Sequence, residues 1–565
     1  MTQETADILM VRGSGPLMAL FFSALSVMMV LSIPDTIRMM RGVTKRGLAL
    51  LALILGAVLL MLLIYVPHIP HVYYDCYLHY DLAKNMALHG FYATTMAGDE
   101  TGLRCASVFS GWPPGYHFML SCVFTIFGIG EESAAGFSIA LSIGAILFCF
   151  AAAFLLSGDE NSALASALLL ASSPLFLKYG ATSSMDACSL CFLFMAFYFV
   201  VLWQKTGTPA PLVSFLLAAL YTCYVRPENV IIMSALLILA YFTGKERMPV
   251  KGSPGILILS GILALVLIVP LIIILTNGTP FFRNGGGLYC SSQPVQGIVL
   301  MNTGTYQFVL YQSGSLTPFS LTLLKNMGNN LRFLTLSSLH GALTAFLFLV
   351  GAGALLKARD KIWINTFTKG LLALMAFLFV LSSFFKKGDF LIYPDSDRYA
   401  MPFLLFFSLM GGVGFMAASR YLQKAMGGLQ TLVLVALVVL TVKAPLDSTL
   451  ELTTERPEYR QYLFIKSLAK TMPFRGLPCV SPLPPAEIIL LAHAPAMNME
   501  YFFSLETPPD RALLILDSPA QGSEAASSYP GALLSRICIR YKITPLLEET
   551  SGGRVYSLSL LTRVR

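Results

Sequence analysis

Long apolar runs separated by short polar segments dominate the chain from its start to about residue 445. A bilayer core takes about 20 apolar residues as a helix, and runs such as "RGLALLALILGAVLLMLLIYV" reach that length. The pattern therefore predicts twelve transmembrane helices. They are placed near residues 16–33, 48–66, 137–156, 163–180, 186–203, 211–225, 229–243, 255–275, 338–356, 370–385, 401–418 and 428–444.

Composition agrees with this pattern, because 56% of the 565 residues are hydrophobic and only 12% are charged. Soluble proteins carry about 25% charged residues, so the chain is predicted to be a polytopic α-helical membrane protein. Its first apolar run lacks a small-residue cleavage site and is followed by another run, which favours a membrane span over a signal peptide. The net charge of +8 is typical of cytoplasmic loops, and no nucleic-acid partner is expected.

The distribution of Lys and Arg orients the predicted helices, because these residues gather in cytoplasmic loops. With both termini outside, the inner loops hold fourteen Lys and Arg, whereas the much longer outer segments up to residue 400 hold ten. The predicted inner loops are 34–47, 157–162, 204–210, 244–254, 357–369 and 419–427.

The segment 112–130, "WPPGYHFMLSCVFTIFGIG", decides which side every later loop takes. If it crossed the membrane, the basic loops "GKERMPVKG" and "KARDKIWINTFTK" would lie outside. It is therefore predicted to be a helix in the interface, opened by Pro113 and Pro114. This choice places Asp186 on the same outer face as Asp75.

The last 120 or so residues, counted roughly from the change in polarity near residue 445, are far less apolar. "EYRQYLFIKSLAKT" has helical periodicity, "RALLILDSP" predicts a buried strand, and "ITPLLEETSGGRVYSLSLL" predicts a hairpin across Ser551-Gly552-Gly553. We expect three parts: an extra helix and cytoplasmic loop at 1–47, a transmembrane domain at 48–444 with outer loops 67–136 and 276–337, and a small extracytoplasmic α/β domain at 445–565.

Two carboxylates stand near the outer ends of predicted spans. Asp75 lies in the aromatic- and His-rich segment 67–112, whose pattern favours an amphipathic helix in the interface, and Asp186 stands at the mouth of a later span. A carboxylate in such a position is either solvated or faces a polar cavity.

Two arginines complete the candidate chemistry. Arg226 and Arg398 either pair with neighbouring acids (Glu228, Asp395 and Asp397) or bind a phosphate, whose oxygens match the planar guanidinium fork. Carboxylates and arginines above an apolar groove suit transfer of a sugar from a lipid phosphate. A carboxylate would take the acceptor's proton, and cations or a metal ion would stabilise the leaving phosphate.

The order of these residues resembles the GT-C glycosyltransferases, in particular the protein O-mannosyltransferases and the lipid A aminoarabinose transferase. Asp75, Ala83 and Asn85 keep the spacing of the family's first-loop motif, Tyr80 is one place late, and Cys76 replaces the second acid. The later matching motifs are Pro113-Pro114-x-Tyr116, Phe127-Gly128, Ser173 to Phe176, Asp186-Ala187, and Arg398-Tyr399 followed by Pro402.

The resemblance implies an inverting transfer from a polyprenyl-phosphate sugar to a hydroxyl of a glycan, lipid or protein acceptor, at the outer face of a bacterial inner membrane. It implies that Asp75 is the catalytic base and that Asp186 is an acidic partner, with a divalent metal ion held by both as an alternative. The donor phosphate would contact Arg398, Tyr399 and Arg226. The candidate supporting residues are His79, Tyr80, Lys84 and Tyr116.

Two other classes fit a polytopic chain with outer charges: a transporter or flippase for a lipid-linked substrate, and a sugar-polymer ligase. Transporters place their charges near the bilayer midplane, whereas essential acids in the first outer loop favour the transferase. The cysteines predicted outside suggest two disulfides, Cys76–Cys105 and Cys479–Cys538, because each outer region holds two of them.

Overall fold

Apolar helices make up most of the chain that the computed structural model describes. The described residues are 3–68, 73–90, 92, 105–108, 113–226, 229–244, 286–290, 300–301, 316–336, 342–357, 362–383, 396–426, 446–447, 450, 457–471, 477–481, 496–498, 502, 509–519, 539–551 and 554–564. The predicted spans near 255–275 and 428–444 lie outside them.

The described helices follow the predicted apolar runs closely. They are α1 (Gln3–Leu31), α2 (Ile33–Met40), α3 (Lys45–Leu60, continued by a π-helical turn Met61–Tyr65), α4 (Tyr73–His89), α5 (Gly115–Phe127), α6 (Glu131–Ser157), α7 (Glu160–Ala171), α8 (Pro174–Gly180), α9 (Met185–Thr206), α10 (Pro209–Val225), α11 (Asn229–Gly244), α12 (Leu316–Leu336), α13 (Ala342–Leu356), α14 (Ile362–Ser383), α15 (Phe403–Met426) and α16 (Pro457–Thr471).

Within the described residues, five helices are long and apolar enough to cross a bilayer: Arg12–Leu31, Lys45–Tyr65, α6, α9 and Phe403–Tyr421. Counting α7 and α8 as one span bent by 63° gives a sixth. These numbers fall short of the twelve predicted spans, because α10, α11, α13 and α14 present shorter apolar stretches and two predicted spans lie outside the described residues. Helix α5, with 13 residues, is shorter than the roughly 20 that a span takes.

Helix α9 is the centre of the helical body. Ser184 caps its first turn by accepting a hydrogen bond from the Asp186 N–H, and Gly207 ends it in the left-handed conformation at φ 68°. Every residue from Met185 to Gln204 is buried. Because protein covers every side of this apolar helix, α9 lies inside the bundle rather than against lipid, and α6 and α10 pack around it.

Helices α13 and α15 cross with their backbones in direct contact. A Cβ atom at Gly351 would overlap the Met410 carbonyl oxygen, and one at Gly414 would overlap the Leu347 carbonyl oxygen. Glycine is therefore required at both positions for this packing, whereas Gly353, on the same helix as Gly351, has open space beside it.

Polar contacts between helix ends fall into two groups. At one end Thr208 donates to Asp35 (2.6 Å), Thr44 to Glu160 (2.9 Å), and Arg420 pairs with Asp159 (3.5 Å). At the other end lie the contacts Lys178–Asp397, Arg226–Asp186 and Lys466–Glu131. In each group the partners belong to segments that the charge distribution places on one side of the membrane.

The tail contains α16 and a five-stranded sheet ordered β5-β4-β6-β8-β7. Its strands are β4 (Cys479–Ser481), β5 (Ala496–Asn498), β6 (Arg511–Pro519), β7 (Tyr541–Ser551) and β8 (Arg554–Arg563). The predicted helix, strand and hairpin are all present, and Ser551 pairs with Arg554 across the turn. Alternate residues of β6 face opposite sides, so Leu513 and Ile515 join the core of the helical body while Ala512 and Leu514 join a second core.

A second sheet connects distant segments of the chain. Strands β1 (Cys105–Val108), β2 (Gly286–Cys290) and β3 (Leu300–Met301) form an antiparallel sheet in that order. It pairs the loop between α4 and α5 with the segment between α11 and α12.

Two expectations about the predicted outer regions were wrong. Helix α4 does not lie in the interface with a wet face, because Cys76 to Met86 are all buried. Its polar side chains have partners inside the protein instead. Cys76 and Cys479 are buried thiols rather than members of disulfides, which contradicts the suggested Cys76–Cys105 and Cys479–Cys538 bonds.

Candidate functional site

Asp186 and Arg226 form a buried ion pair where two helices end. Asp186 is the second residue of α9, and its Oδ2 accepts a hydrogen bond from the Ser184 hydroxyl (2.8 Å). Arg226 follows the last residue of α10, and its guanidinium donates to Asp186 Oδ1. The Asp186 side chain is 0% exposed and the Arg226 side chain is 9% exposed. Asp186 therefore holds Arg226 in place, and the start of α9 favours its negative charge.

Tyr399 brings Arg226 and Arg398 together. It lies in a 3₁₀ turn, Ser396–Ala400, directly before α15. The guanidinium carbon of Arg226 is 5.5 Å from the centre of the Tyr399 ring, and that of Arg398 is 5.3 Å away. Two cations within 6 Å of one aromatic ring are a favourable cation–π arrangement. All three residues predicted to contact the donor phosphate are therefore neighbours.

The 3₁₀ turn is anchored by two side chains that sequence analysis did not single out. Asp397 accepts hydrogen bonds from the Lys178 ammonium (2.7 Å) and from the Tyr179 hydroxyl (2.6 Å), and all three residues are buried. Asp397 thus binds two side chains of α8, whereas one alternative gave it only the role of pairing with Arg398. The other acid of that alternative, Asp395, lies outside the described residues. A lysine inside an apolar run was the only sequence signal for this anchor.

His79 pairs with a second histidine, His117, that sequence analysis also missed. Their Nδ1 and Nε2 atoms are 2.8 Å apart, and His117 Nδ1 lies 3.3 Å from the Pro113 carbonyl oxygen. Burial is the main reason that the pKa of His79 falls well below its usual value, and His117, Arg398 and Arg226 lower it further. Burial also lowers the pKa of His117 to about 3, so both rings are neutral at pH 7.

The three other supporting candidates each have a partner in or beside α4. Tyr80 and Ser183 share a hydrogen bond of 2.6 Å, which joins α4 to the turn before α9. The ring of Tyr116 meets His79 edge-on at 5.3 Å. Lys84 forms a buried ion pair with Asp81 at 3.2 Å, one turn back on α4. Tyr80 and Tyr116 thus adjoin the candidate site, whereas Lys84 has a structural partner in its own helix.

Asp75 lies in the first turn of α4, and its side chain is outside the described residues. Its position in the helix is informative all the same. Residues four apart share one helix face, so position 75 lies on the face of α4 that carries His79. Arg398 and Arg226 both contribute to lowering the pKa of His79, which supports a position of this face near the two arginines.

A metal ion at Asp186 does not fit the donors present in the described residues. Both carboxylate oxygens of Asp186 already accept hydrogen bonds, from Arg226 and Ser184. Within the same residues, no group of three His, Cys, Asp or Glu side chains could hold a metal ion. The metal alternative, with Asp75 as the other ligand, stays a prediction, and no chemical step below depends on it.

Comparison with known proteins supports the resemblance read from the sequence. A family model described as dolichyl-phosphate-mannose-protein mannosyltransferase matches residues 112–274. None of the curated proteins matches the chain in sequence.

Solved structures resemble the chain in fold. The crystal structure of ArnT from Cupriavidus metallidurans bound to undecaprenyl phosphate has a TM-score of 0.57 at 13% identity, covering 91% of this chain and 98% of ArnT. Its apo form has a TM-score of 0.55 with the same identity and coverage. The oligosaccharyltransferase AglB from Archaeoglobus fulgidus overlaps less, with a TM-score of 0.46 at 12% identity and coverages of 83% and 69%. The predicted resemblance to the GT-C glycosyltransferases is confirmed, and the chain has their helical membrane fold.

Proposed function

We propose that the protein is an integral membrane glycosyltransferase that moves a sugar from a polyprenyl-phosphate donor to an acceptor hydroxyl, with inversion at the sugar carbon. The observation that supports it most is the convergence of Arg226 and Arg398 on Tyr399, at helix ends, beside a buried acid that fixes Arg226. The ArnT structure of the same fold was determined with undecaprenyl phosphate, a ligand of this class.

Binding of the donor phosphate uses the two arginines. Guanidinium groups offer paired N–H donors to phosphate oxygens, and burial strengthens the attraction because little water screens it. Arg226 is held from behind by Asp186, and Arg398 is held through the turn that Asp397 anchors. These supports keep the cations in place before the donor arrives. The same cations stabilise the charge that collects on the phosphate as the sugar leaves.

Proton removal from the acceptor is assigned to Asp75. Position 75 shares the face of α4 that carries His79, and this supports a base near the two arginines and hence near the donor. Asp75 would take the proton of the acceptor hydroxyl while that oxygen bonds to the sugar carbon and the lipid phosphate departs from the opposite side. Asp186 is not proposed as a proton acceptor, because both of its carboxylate oxygens already accept hydrogen bonds, from Arg226 and from Ser184.

The reaction is proposed to occur outside the cytoplasm, in a bacterial inner membrane. The charge distribution supports this side, because the segments that carry the site are poor in Lys and Arg relative to the opposite loops. The pair formed by Glu131 and Lys466 (3.1 Å) supports a location of the tail on the same side of the membrane as the start of α6.

The test uses Asp75→Asn, which keeps the side-chain volume and removes the base. Transfer of the label from a radiolabelled polyprenyl-phosphate sugar to any glycan, lipid or protein acceptor in membranes should fall by about 10²–10⁴-fold, while binding of the donor stays near normal. Asp510→Asn, at an exposed tail position, is the matched control and should keep full transfer. Asp81 is unsuitable as a control, because its variant would break the buried pair with Lys84.

The same assay separates the alternatives. A flippase would move labelled donor between leaflets without passing the sugar to an acceptor. A polymer ligase would use a lipid-linked polymer and ignore the monosaccharide donor. Full transfer by Asp75→Asn would show that Asp75 is a solvated residue and would refute its assignment as the base.

A further inference from the structure

Two cysteines lie directly opposite one another in the sheet that connects the first outer loop to a distant segment. In the antiparallel pair β1–β2 the Cα partners are Cys105↔Cys290, Ala106↔Tyr289, Ser107↔Leu288 and Val108↔Gly287. Strand β3 extends the sheet through Gly286↔Met301 and Gly287↔Leu300. The register is thus defined over four consecutive pairs, and the cysteines occupy one of them.

This register satisfies the distance requirement of a disulfide. Directly opposite residues in an antiparallel pair have Cα atoms about 4.5–5.5 Å apart, and disulfides span Cα separations of about 4.4–6.8 Å. Opposite positions also share one face of the sheet, whereas a slip of one residue would move either cysteine to the other face. The two cysteines therefore stand directly opposite each other only in this register.

We propose that Cys105 and Cys290 form a disulfide that joins the loop between α4 and α5 to the segment between α11 and α12. The bond forms when the two thiols lose two protons and two electrons. A disulfide of a thiol oxidoreductase in the same compartment accepts them and becomes two thiols. The proposal rests on the proposed outer location of the site, because such bonds persist in oxidising compartments and not in the cytoplasm.

The cross-link would affect the candidate site through the two helices that flank β1 in the chain. Strand β1 lies between α4, which contains position 75, and α5, which contains His117. Holding β2 and β3 against β1 keeps a remote segment next to the two helices that contribute to the site. A constraint of this kind restricts the unfolded chain and the opening of the loop rather than the chemistry itself.

Peptide mapping tests the bond directly. Cells producing the full chain are quenched in acid and alkylated with N-ethylmaleimide, and the purified protein is digested without reduction for mass spectrometry. The expected product is a peptide pair joined at Cys105 and Cys290, lighter than the two separate peptides by two hydrogens and released by reduction. Alkylated thiols at both positions in the unreduced sample would overturn the proposal, as would a bond from Cys105 to any other cysteine.

Variants provide the controls and separate this proposal from the proposed function. Cys105→Ser should leave Cys290 open to alkylation, and Cys290→Ser should do the same for Cys105. Cys122→Ser, which removes an exposed thiol, should leave the linked pair unchanged. Donor binding is measured on the same preparations. A linked pair without donor binding would contradict the function alone, and donor binding with free thiols would contradict the disulfide alone.

Discussion

Replacing Asp186 with asparagine removes the charge that holds Arg226 and keeps the size of the side chain. In the native protein Asp186 accepts hydrogen bonds from Arg226 and Ser184, and it is fully buried. Breaking a buried pair by removing one partner costs about 3–5 kcal/mol, because the remaining charge stays out of water without compensation. Exposed pairs such as Asp510–Arg563 contribute about 0–1 kcal/mol, so Asp510→Asn is the matched control.

Adding the lipid donor should raise the unfolding temperature of Asp186→Asn more than that of wild type, if the donor phosphate binds at the proposed site. A polyprenyl phosphate bound at Arg226 supplies the negative charge that Asp186→Asn has removed. The variant should therefore unfold several degrees below wild type without lipid and gain more from added undecaprenyl phosphate than wild type does. Stabilisation by a ligand at 100 times its dissociation constant is about 2.7 kcal/mol, which a thermal-shift measurement in detergent detects readily.

A double-variant cycle measures whether the effects of Asp186 and Arg226 on stability depend on each other. Asp186→Asn combined with Arg226→Gln removes both charges, so its loss of stability should be smaller than the sum of the two single losses. It should also lose the extra stabilisation by lipid. Unfolding of Asp186→Asn at the wild-type temperature, or additive losses in the double variant, would show that the two residues do not depend on each other.

Three further predictions concern the supports of the site and the packing of the body. Lys178→Met leaves Asp397 buried without its cation, so the 3₁₀ turn should loosen. Affinity for undecaprenyl phosphate, measured by quantitative binding in nanodiscs, should then fall about tenfold. Unchanged affinity would mean that the turn does not position the donor. Gly351→Ala should lower the free energy of unfolding by about 1–3 kcal/mol in a denaturant titration, whereas Gly353→Ala, with open space, should be near neutral, and equal effects would contradict the helix crossing. Because the pKa of His117 is depressed to about 3 from 6.5, its neutral form must be protonated on unfolding in acid, and stability should fall as pH drops from about 6.5, by about 2 kcal/mol at pH 5. His117→Asn should remove this contribution from the acid side of the stability–pH curve, and an unchanged curve would refute it.

The helices and the tail elements could be predicted from sequence because each depends on local periodicity. Apolar runs of helical length gave α6 and α9, and alternation around Ser551-Gly552-Gly553 gave the β7–β8 hairpin. The burial of α4 could not be predicted in the same way. Its polar residues resemble a wet face until their partners, such as His117 for His79, are brought in by other segments.

In the candidate site, too, the residue types could be predicted from the sequence and their contacts could not. The arginines and Asp186 could be proposed from their chemistry and their positions at the ends of apolar runs. Their pairing could not, because Asp186 and Arg226 are joined only by the packing of α9 against α10. The contact of Lys178 with Asp397 spans more than two hundred residues, and no local pattern encodes it. Long-range pairs of this kind are set by tertiary packing alone.

The most direct test of the proposed function is a structure of the protein in nanodiscs with undecaprenyl phosphate, determined by electron cryomicroscopy. If the two arginines bind the donor, density for the phosphate should appear beside Tyr399, with its oxygens within hydrogen-bond distance of the guanidinium groups of Arg226 and Arg398, and with position 75 facing it. A phosphate bound elsewhere, with both arginines directed away from it, would contradict the proposed donor site.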